Sequence, residues 1–148
     1  MNESTLEASA REALGILHEA MAKVANGDVS AIKALYSHAA EATSFYGWGG
    51  YEKGWDAVSK RWDWAAQQFQ GGSVSHETIS QVLTPDMFYV TQIETFSRQR
   101  VAGVAGETGW SNRVTHVFAR ENGDWRLIHR HANRLETQFE PAQKLKAT

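Results

Sequence analysis

Three of the six histidines of this chain lie within one short segment, Arg113 to Asn133, which has the sequence RVTHVFARENGDWRLIHRHAN. The imidazole side chain changes charge near neutral pH, so two neighbouring histidines can act as general base and general acid. Histidine is also a common metal ligand. Which chemistry is open to His116, His129 and His131 depends on the elements that position them.

The segment has the pattern of two alternating strands joined at Asn122-Gly123. This dipeptide favours a type I′ hairpin turn, which needs positive φ at both central residues. A two-residue turn sets the register, so that Glu121 faces Asp124 and His116 faces His129. Because side chains alternate between the two faces of a strand, His116, His129 and His131 are predicted on one face. Arg130 is predicted on the other.

Helical patterns and two further strands precede this hairpin. Apolar residues recur at helical spacing from Leu6 to Val24 and from Trp55 to Phe69. Strand patterns at 73–84 and 86–98 flank Pro85, and a tight turn there brings His76 close to Glu94. Helices grouped before a run of strands predict an α+β fold, with the helices covering one face of a curved antiparallel sheet. The helices leave the other face of the sheet uncovered, and this predicts a homodimer formed through that face.

Glu94 lies in the middle of an otherwise apolar strand pattern, and we expect desolvation on a pocket wall to raise its pKa. The segment Gly47–Gly54 contains four glycines and two aromatic residues, which suggests a lip over a pocket. The residues predicted to be catalytic are His116, His129 and Glu94. The residues predicted to contact substrate are Trp48, Tyr51, Trp55, Trp62, Trp110, Phe118, Gln92 and His131.

Composition limits the remaining possibilities. A length of 148 residues predicts a single domain, assigned to 1–135, followed by a flexible tail at 136–148. The formal net charge of −2 gives no basic excess for nucleic acid, and no apolar run reaches membrane-spanning length. The absence of cysteine excludes disulfides, thiolate metal sites and a cysteine nucleophile. We therefore expect a cytoplasmic protein that needs no cofactor.

The early helix, the segment GWGGYEKGW before the second helix, and the closing hairpin together resemble the SnoaL-like, ketosteroid-isomerase-like branch of the nuclear-transport-factor-two-like superfamily. The resemblance extends from about Leu6 to Asn133. It implies a cone-shaped α+β barrel of the cystatin-like type, with a deep pocket between helices and sheet and usually a dimer. A similar hairpin ends the association domain of calcium/calmodulin-dependent kinase, and alignment with it places the face of His116 inward.

Three functions remain open, because the superfamily includes isomerases, dehydratases, cyclases and plain binding domains. The first is a cofactor-independent acid–base enzyme acting on a small hydrophobic compound, with His116 and His129 sharing protons and Glu94 assisting. The second is a non-catalytic ligand-binding or dimeric assembly module, in which the histidines are structural. The third is a metal site built from the histidine-rich face.

Overall fold

The computed structural model describes residues 2–136, so the predicted tail at 136–148 lies outside the described residues except for Glu136. Within residues 2–136 the chain forms three helices and six strands. The helices are α1 (Glu3–Val24), α2 (Ser30–Leu35) and α3 (Trp55–Gln68). The strands are β1 (Thr43–Phe45), β2 (Tyr51–Lys53), β3 (Ser73–Leu83), β4 (Met87–Gln99), β5 (Thr108–Glu121) and β6 (Asp124–Arg134).

The strands form one sheet in the order β2-β1-β6-β5-β4-β3. Strand β1 runs parallel to β6, whereas β1–β2, β3–β4, β4–β5 and β5–β6 are antiparallel. The N-terminal helices pack on one face of this sheet, as the order of the sequence patterns predicted. The α+β fold is thereby confirmed, and so is the pairing of His76 with Glu94 across β3 and β4.

The core lies between the helices and the inner face of the sheet. Helix α1 buries one apolar stripe that includes Leu17 and Met21, and α3 contributes Val58 and Trp62. On β4 the inward positions alternate with exposed ones, because successive side chains of a strand point to opposite faces. The inward row begins with apolar Phe88 and becomes polar further along the strand. The inner residues of β4 are Phe88, Val90, Gln92, Glu94 and Phe96.

The closing hairpin departs from the predicted register at one point. Asn122 has φ 53° and Gly123 has φ 85°, so the tight turn is present, and Phe118 faces Leu127 as predicted. Beyond that pair the next partners are Val117 and His129, which leaves Ile128 as an extra residue in β6. A β-bulge of this kind moves every later side chain of the strand to the opposite face.

The prediction that His116 faces His129 is therefore wrong. His116 faces Arg130, and both side chains are buried on the inner face. His129 and His131 lie on the outer face, where each contacts Phe45 of β1 at a ring-centroid distance of 5.0 Å. Because of the bulge, Arg130 rather than His129 lies beside His116 in the interior. The inner face therefore carries a permanent positive charge in place of a second imidazole.

The outer face of the sheet is only partly covered. Met87 and Tyr89 are exposed there, and they alternate with the buried residues of β4. The structure contains one chain, so the homodimer through this face stays a prediction. Among residues 2–136 no helix is both long and apolar enough to cross a membrane.

Candidate functional site

A cavity of about 340 Å³ opens between α1, α3 and the inner ends of β4, β5 and β6. Its volume is within the range of small-molecule sites. Apolar and aromatic side chains provide most of its wall, and a few polar groups lie in one corner. The lining residues are Met21, Val24, Tyr46, Gly47, Trp48, Trp62, Trp64, Gln68, Phe69, Phe96, Val101, Val104, Thr108, Trp110, Asn112, Arg130 and Arg134.

Stacked rings form the walls of this cavity. Phe96 and Trp110, which are opposite each other on β4 and β5, stack at a centroid distance of 4.7 Å. At the β1–β2 loop, Trp48 stacks on Tyr46 at 4.7 Å and meets the edge of Trp64 at 5.2 Å. Trp48 is 41% exposed, so it borders both the cavity and the solvent. These flat surfaces suit a planar ligand.

A buried ion pair underlies the polar corner. Arg130 Nη1 donates to Glu94 Oε2 at 2.9 Å, and Arg130 Nη2 donates to Glu94 Oε1 at 2.7 Å. His76 Nε2 donates to Glu94 Oε2 at 2.9 Å, and Asn112 Nδ2 makes a longer contact with Oε1 at 3.4 Å. Glu94 is completely buried, and its two oxygens are occupied by these donors. Its role in the structure is to hold Arg130.

The expectation of a raised pKa at Glu94 is wrong for the same reason. Burial alone raises the pKa of this carboxyl, but the charge of Arg130 and the hydrogen bonds from His76 and Arg130 hold it well below its usual range. Glu94 is therefore ionised at neutral pH. It has no proton to give as a general acid.

His116 accepts the remaining Nη1 hydrogen of Arg130 at Nε2, at 2.9 Å. Arginine has no acceptor atom, so Nε2 must be unprotonated and the proton of the neutral ring lies on Nδ1. Burial, and then the positive charge of Arg130, hold the pKa of His116 well below its ordinary value. His116 is thus a neutral hydrogen-bond acceptor. The lone pair on Nε2, which a general base would need, already accepts the hydrogen bond from Arg130.

We expect the free energy of unfolding to decrease as the pH falls from 7.5 to 5.5. The folded state keeps His116 neutral, whereas the unfolded state binds a proton below its ordinary pKa of 6.5 and is stabilised by it. One such group contributes a slope of at most about 1.4 kcal/mol per pH unit. Urea unfolding at several pH values measures this slope.

The control for this slope is a pair of variants. His116→Gln should reduce it most, and His129→Gln less, because His129 is only half-buried although burial and the neighbouring His131 also lower its pKa. Identical slopes in the wild type and the His116→Gln variant would contradict the assignment of His116 as a buried neutral histidine.

Two buried polar atoms of the cavity lining have no hydrogen-bond partner among residues 2–136. They are Oδ1 of Asn112 and Nε1 of Trp62. Asn112 must present Nδ2 to the carboxylate of Glu94, because an ionised carboxylate only accepts. Its Oδ1 is therefore the free atom, and a Cβ on Gly47 would lie only 3.1 Å from it. Unpaired buried polar atoms are costly, so a ligand that pairs them binds favourably.

The two outer histidines do not reach this cavity. His129 Nδ1 is 2.7 Å from Thr43 Oγ1, and its ring is 6.1 Å from that of His131. Within residues 2–136 no three side chains of the His, Cys, Asp or Glu types converge as a metal site would require. The histidine-rich face that suggested a metal site is divided by the bulge.

Of the residues predicted to contact substrate, Trp48, Trp62 and Trp110 line the cavity. Tyr51 is 70% exposed on the outer face, and Trp55 stacks on His38. Phe118 stacks on Phe88 in the core, at a centroid distance of 4.5 Å. Gln92 donates to His18 and Thr78, and His131 is exposed on the outer face. These five side chains lie outside the cavity wall.

Sequence patterns did not predict several members of the site. Trp64 lies off the apolar stripe of α3, and that position is a signal that it has another role. Arg130 was placed on the wrong face by the unbulged register. Asn112 lies directly across from Glu94 on β5, and the strand pairing was needed to find it. The lining residues without a predicted role in the site include Tyr46, Phe69, Phe96 and Arg134.

The sequence pattern of SnoaL-like domains matches residues 14–133, which is most of the chain. The chain belongs to the SnoaL-like domain family. The predicted resemblance is therefore confirmed. A search of curated proteins found no match.

Several solved structures have the same fold as this SnoaL-like domain. It is similar to a nuclear transport factor 2-like superfamily protein from Salmonella enterica serovar Typhimurium LT2, with 15% identity, a TM-score of 0.79 and coverage of 97% of this chain and 100% of that chain. A candidate dehydratase from Streptomyces avermitilis has 18% identity and a TM-score of 0.70, with coverage of 91% and 99%. A candidate scytalone dehydratase from Novosphingobium aromaticivorans has 12% identity and a TM-score of 0.69, with coverage of 95% of each chain. At these identities the likeness establishes the fold alone.

Proposed function

We propose that this SnoaL-like protein binds a small, planar and largely apolar molecule in the aromatic cavity. The observation that carries this proposal is the combination of stacked aromatic walls with a polar corner that holds Arg130 and the unpaired Oδ1 of Asn112. Aromatic surface provides most of the binding free energy, and a few directional polar groups fix the orientation of the ligand.

The polar corner is rigid before any ligand arrives. Asn112 and Arg130 Nη2 both bind the same oxygen of Glu94, so they are neighbours on the cavity wall. Tyr46 is held by the stack with Trp48. A ligand therefore meets groups that are already oriented, and little conformational entropy is lost on binding.

Binding can be measured by quenching of tryptophan fluorescence, since four of the six tryptophans line the cavity. We expect 2-naphthol and related planar aromatic compounds to quench this fluorescence saturably. Trp48→Ala should weaken binding by about tenfold or more, because it removes one wall of the cavity. Trp55→Ala is the matched control, since Trp55 stacks on His38 outside the cavity. Equal weakening in both variants, or no quenching by any planar compound, would refute the proposal.

A second candidate function is proton-transfer chemistry of the isomerase or dehydratase type on such a compound. Tyr46 favours it: burial raises the pKa of its hydroxyl to about 12, so the cavity wall carries a protonated donor beside Arg130. Such donors stabilise the negative charge that develops on a carbonyl oxygen during enolisation. No Asp, Glu or His of the described residues lines the cavity, so the proton that leaves the substrate carbon passes to a water molecule or hydroxide ion from the solvent, and water returns a proton to the product. The candidate dehydratases among the structural relatives also favour this chemistry.

In this second function, Glu94 and His116 are positioning residues for Arg130. Each uses its lone pairs on buried donors, and neither is part of the cavity wall. His129, on the outer face, has no part in it. Deuterium exchange in D2O distinguishes the two candidate functions. An enzyme exchanges the acidic C–H hydrogen of a bound ketone for deuterium, and its Tyr46→Phe variant does not. A binding protein leaves that hydrogen unexchanged.

A further inference from the structure

One edge of the Arg130 guanidinium is unused. Arginine has five N–H donors, and three of them are taken by Glu94 and His116, two from Nη1 and one from Nη2. Among residues 2–136 the guanidinium makes no other hydrogen bond. The donors that remain are the Nε hydrogen and the second Nη2 hydrogen, which lie side by side on one edge of the plane.

This free edge is held in place by buried neighbours. Arg130 is 5% exposed and borders the cavity, while Glu94 and His116 are completely buried on its other sides. Glu94 is itself held by His76 and Asn112. The free edge of a guanidinium matches the two oxygens of a carboxylate, and charged hydrogen bonds of this kind are short and strong. No rearrangement of the site is needed to form them.

The charge around the cavity also favours an anion. Its lining residues include two arginines, Arg130 and Arg134, and no aspartate or glutamate. The buried carboxylate of Glu94 balances one of these charges, which leaves a net charge of +1. Arg134 lies over the face of Trp110, 4.6 Å from the ring centroid. A carboxylate that enters the cavity therefore meets a positive potential.

The remainder of the wall determines what must be attached to that carboxylate. Phe69, Phe96 and Trp110 form a compact cluster of rings, with centroid distances of 5.8 Å between Phe69 and Phe96, 4.7 Å between Phe96 and Trp110 and 6.2 Å between Phe69 and Trp110. A flat aromatic body buries apolar surface against such a cluster, whereas a fully polar anion does not.

We infer that the ligand of this cavity is an aromatic carboxylate whose two oxygens accept hydrogens from Nε and Nη2 of Arg130. The inference rests on the proposed binding function and specifies its ligand class. Arg130 is then the residue that determines specificity for the anion, and the cluster of Phe69, Phe96 and Trp110 binds the ring.

The test compares 2-naphthoate with the neutral 2-naphthamide by isothermal titration calorimetry at pH 7.5. The two probes have the same ring and nearly the same shape. We expect 2-naphthoate to bind at least about tenfold more tightly, because two charged hydrogen bonds replace neutral ones. Arg130→Lys keeps the charge but removes the paired edge, so this preference should be lost. Arg113→Lys, at an exposed position on β5, is the matched control and should keep it.

A second measurement on the wild type does not depend on any variant that fails to fold. The Nε–H resonance of Arg130 should shift on addition of 2-naphthoate and stay in place with 2-naphthamide. Binding of both probes with equal affinity, or a stationary Nε–H resonance, would overturn the inference while leaving the binding function intact. If neither probe binds, and planar aromatic compounds do not quench the tryptophans, the inference and the proposed function are both refuted.

Discussion

Replacement of Glu94 by glutamine is expected to lower the free energy of unfolding by about 3–5 kcal/mol. The neutral amide leaves the Arg130 charge buried without its counter-ion, and uncompensated buried charge is among the most destabilising changes in a protein interior. The carboxylate of Glu94 accepts from His76 as well as from Arg130, so a second hydrogen bond is weakened too. Urea denaturation followed by circular dichroism measures the loss.

The control is an ion pair of equal length at the surface. Lys33 Nζ and Asp63 Oδ1 are also 2.7 Å apart, but the two side chains are 27% and 57% exposed. Asp63→Asn should cost no more than about 1 kcal/mol, because solvent screens the exposed pair. The double variant Glu94→Gln with Arg130→Met should recover part of the lost stability, since it removes both charges. Equal losses for Glu94→Gln and Asp63→Asn would show that burial of the pair is not what stabilises it.

Deletion of Ile128 is expected to leave Arg130 on the inner face and to preserve ligand binding. Leu127 pairs with Phe118 and His129 pairs with Val117, so without Ile128 the chain passes directly from Leu127 to His129, and residues 129–134 keep their faces. The ion pair of Arg130 and Glu94 is then retained, and the free energy of unfolding should fall by no more than about 3 kcal/mol, as for an ordinary single change. Urea denaturation and fluorescence titration with a planar ligand measure the two effects.

The matched control deletes Ala105, an exposed residue in the loop between β4 and β5. Surface loops tolerate a change of one residue, so stability should fall by no more than about 1 kcal/mol. A variant without Ile128 that no longer binds ligand would show that Arg130 does not keep its inner face when the bulge is removed.

Local sequence was sufficient to predict the long helices, the closing turn and the fold class, whereas β2 lies in the glycine-rich segment Gly47–Gly54, which was not predicted as a strand. Helical spacing from Leu6 to Val24 and from Trp55 to Phe69 corresponds to α1 and α3, because an apolar stripe must face a core wherever the helix packs. Asn122-Gly123 corresponds to the tight turn, since few other dipeptides accept positive φ twice. The pairing of His76 with Glu94 followed from the short turn at Pro85.

The site itself was determined by contacts between distant parts of the chain. Leu127 bridges to Tyr36 and His129 pairs with Thr43 along one edge of β6, while β5 pairs with the other edge. The bulge at Ile128 lies between the contacts with Tyr36 and Thr43. The alternation of polar and apolar residues in β6 does not predict the extra residue, because the sequence before Ile128 and the sequence after it each fit an ordinary strand. Arg130 was assigned to the outer face from local pattern, but it lies in the polar corner of the cavity, where Glu94 on another strand provides its buried counter-charge. The periodicity of one strand can predict which residues share a face, but only the neighbouring strands determine where that periodicity is interrupted.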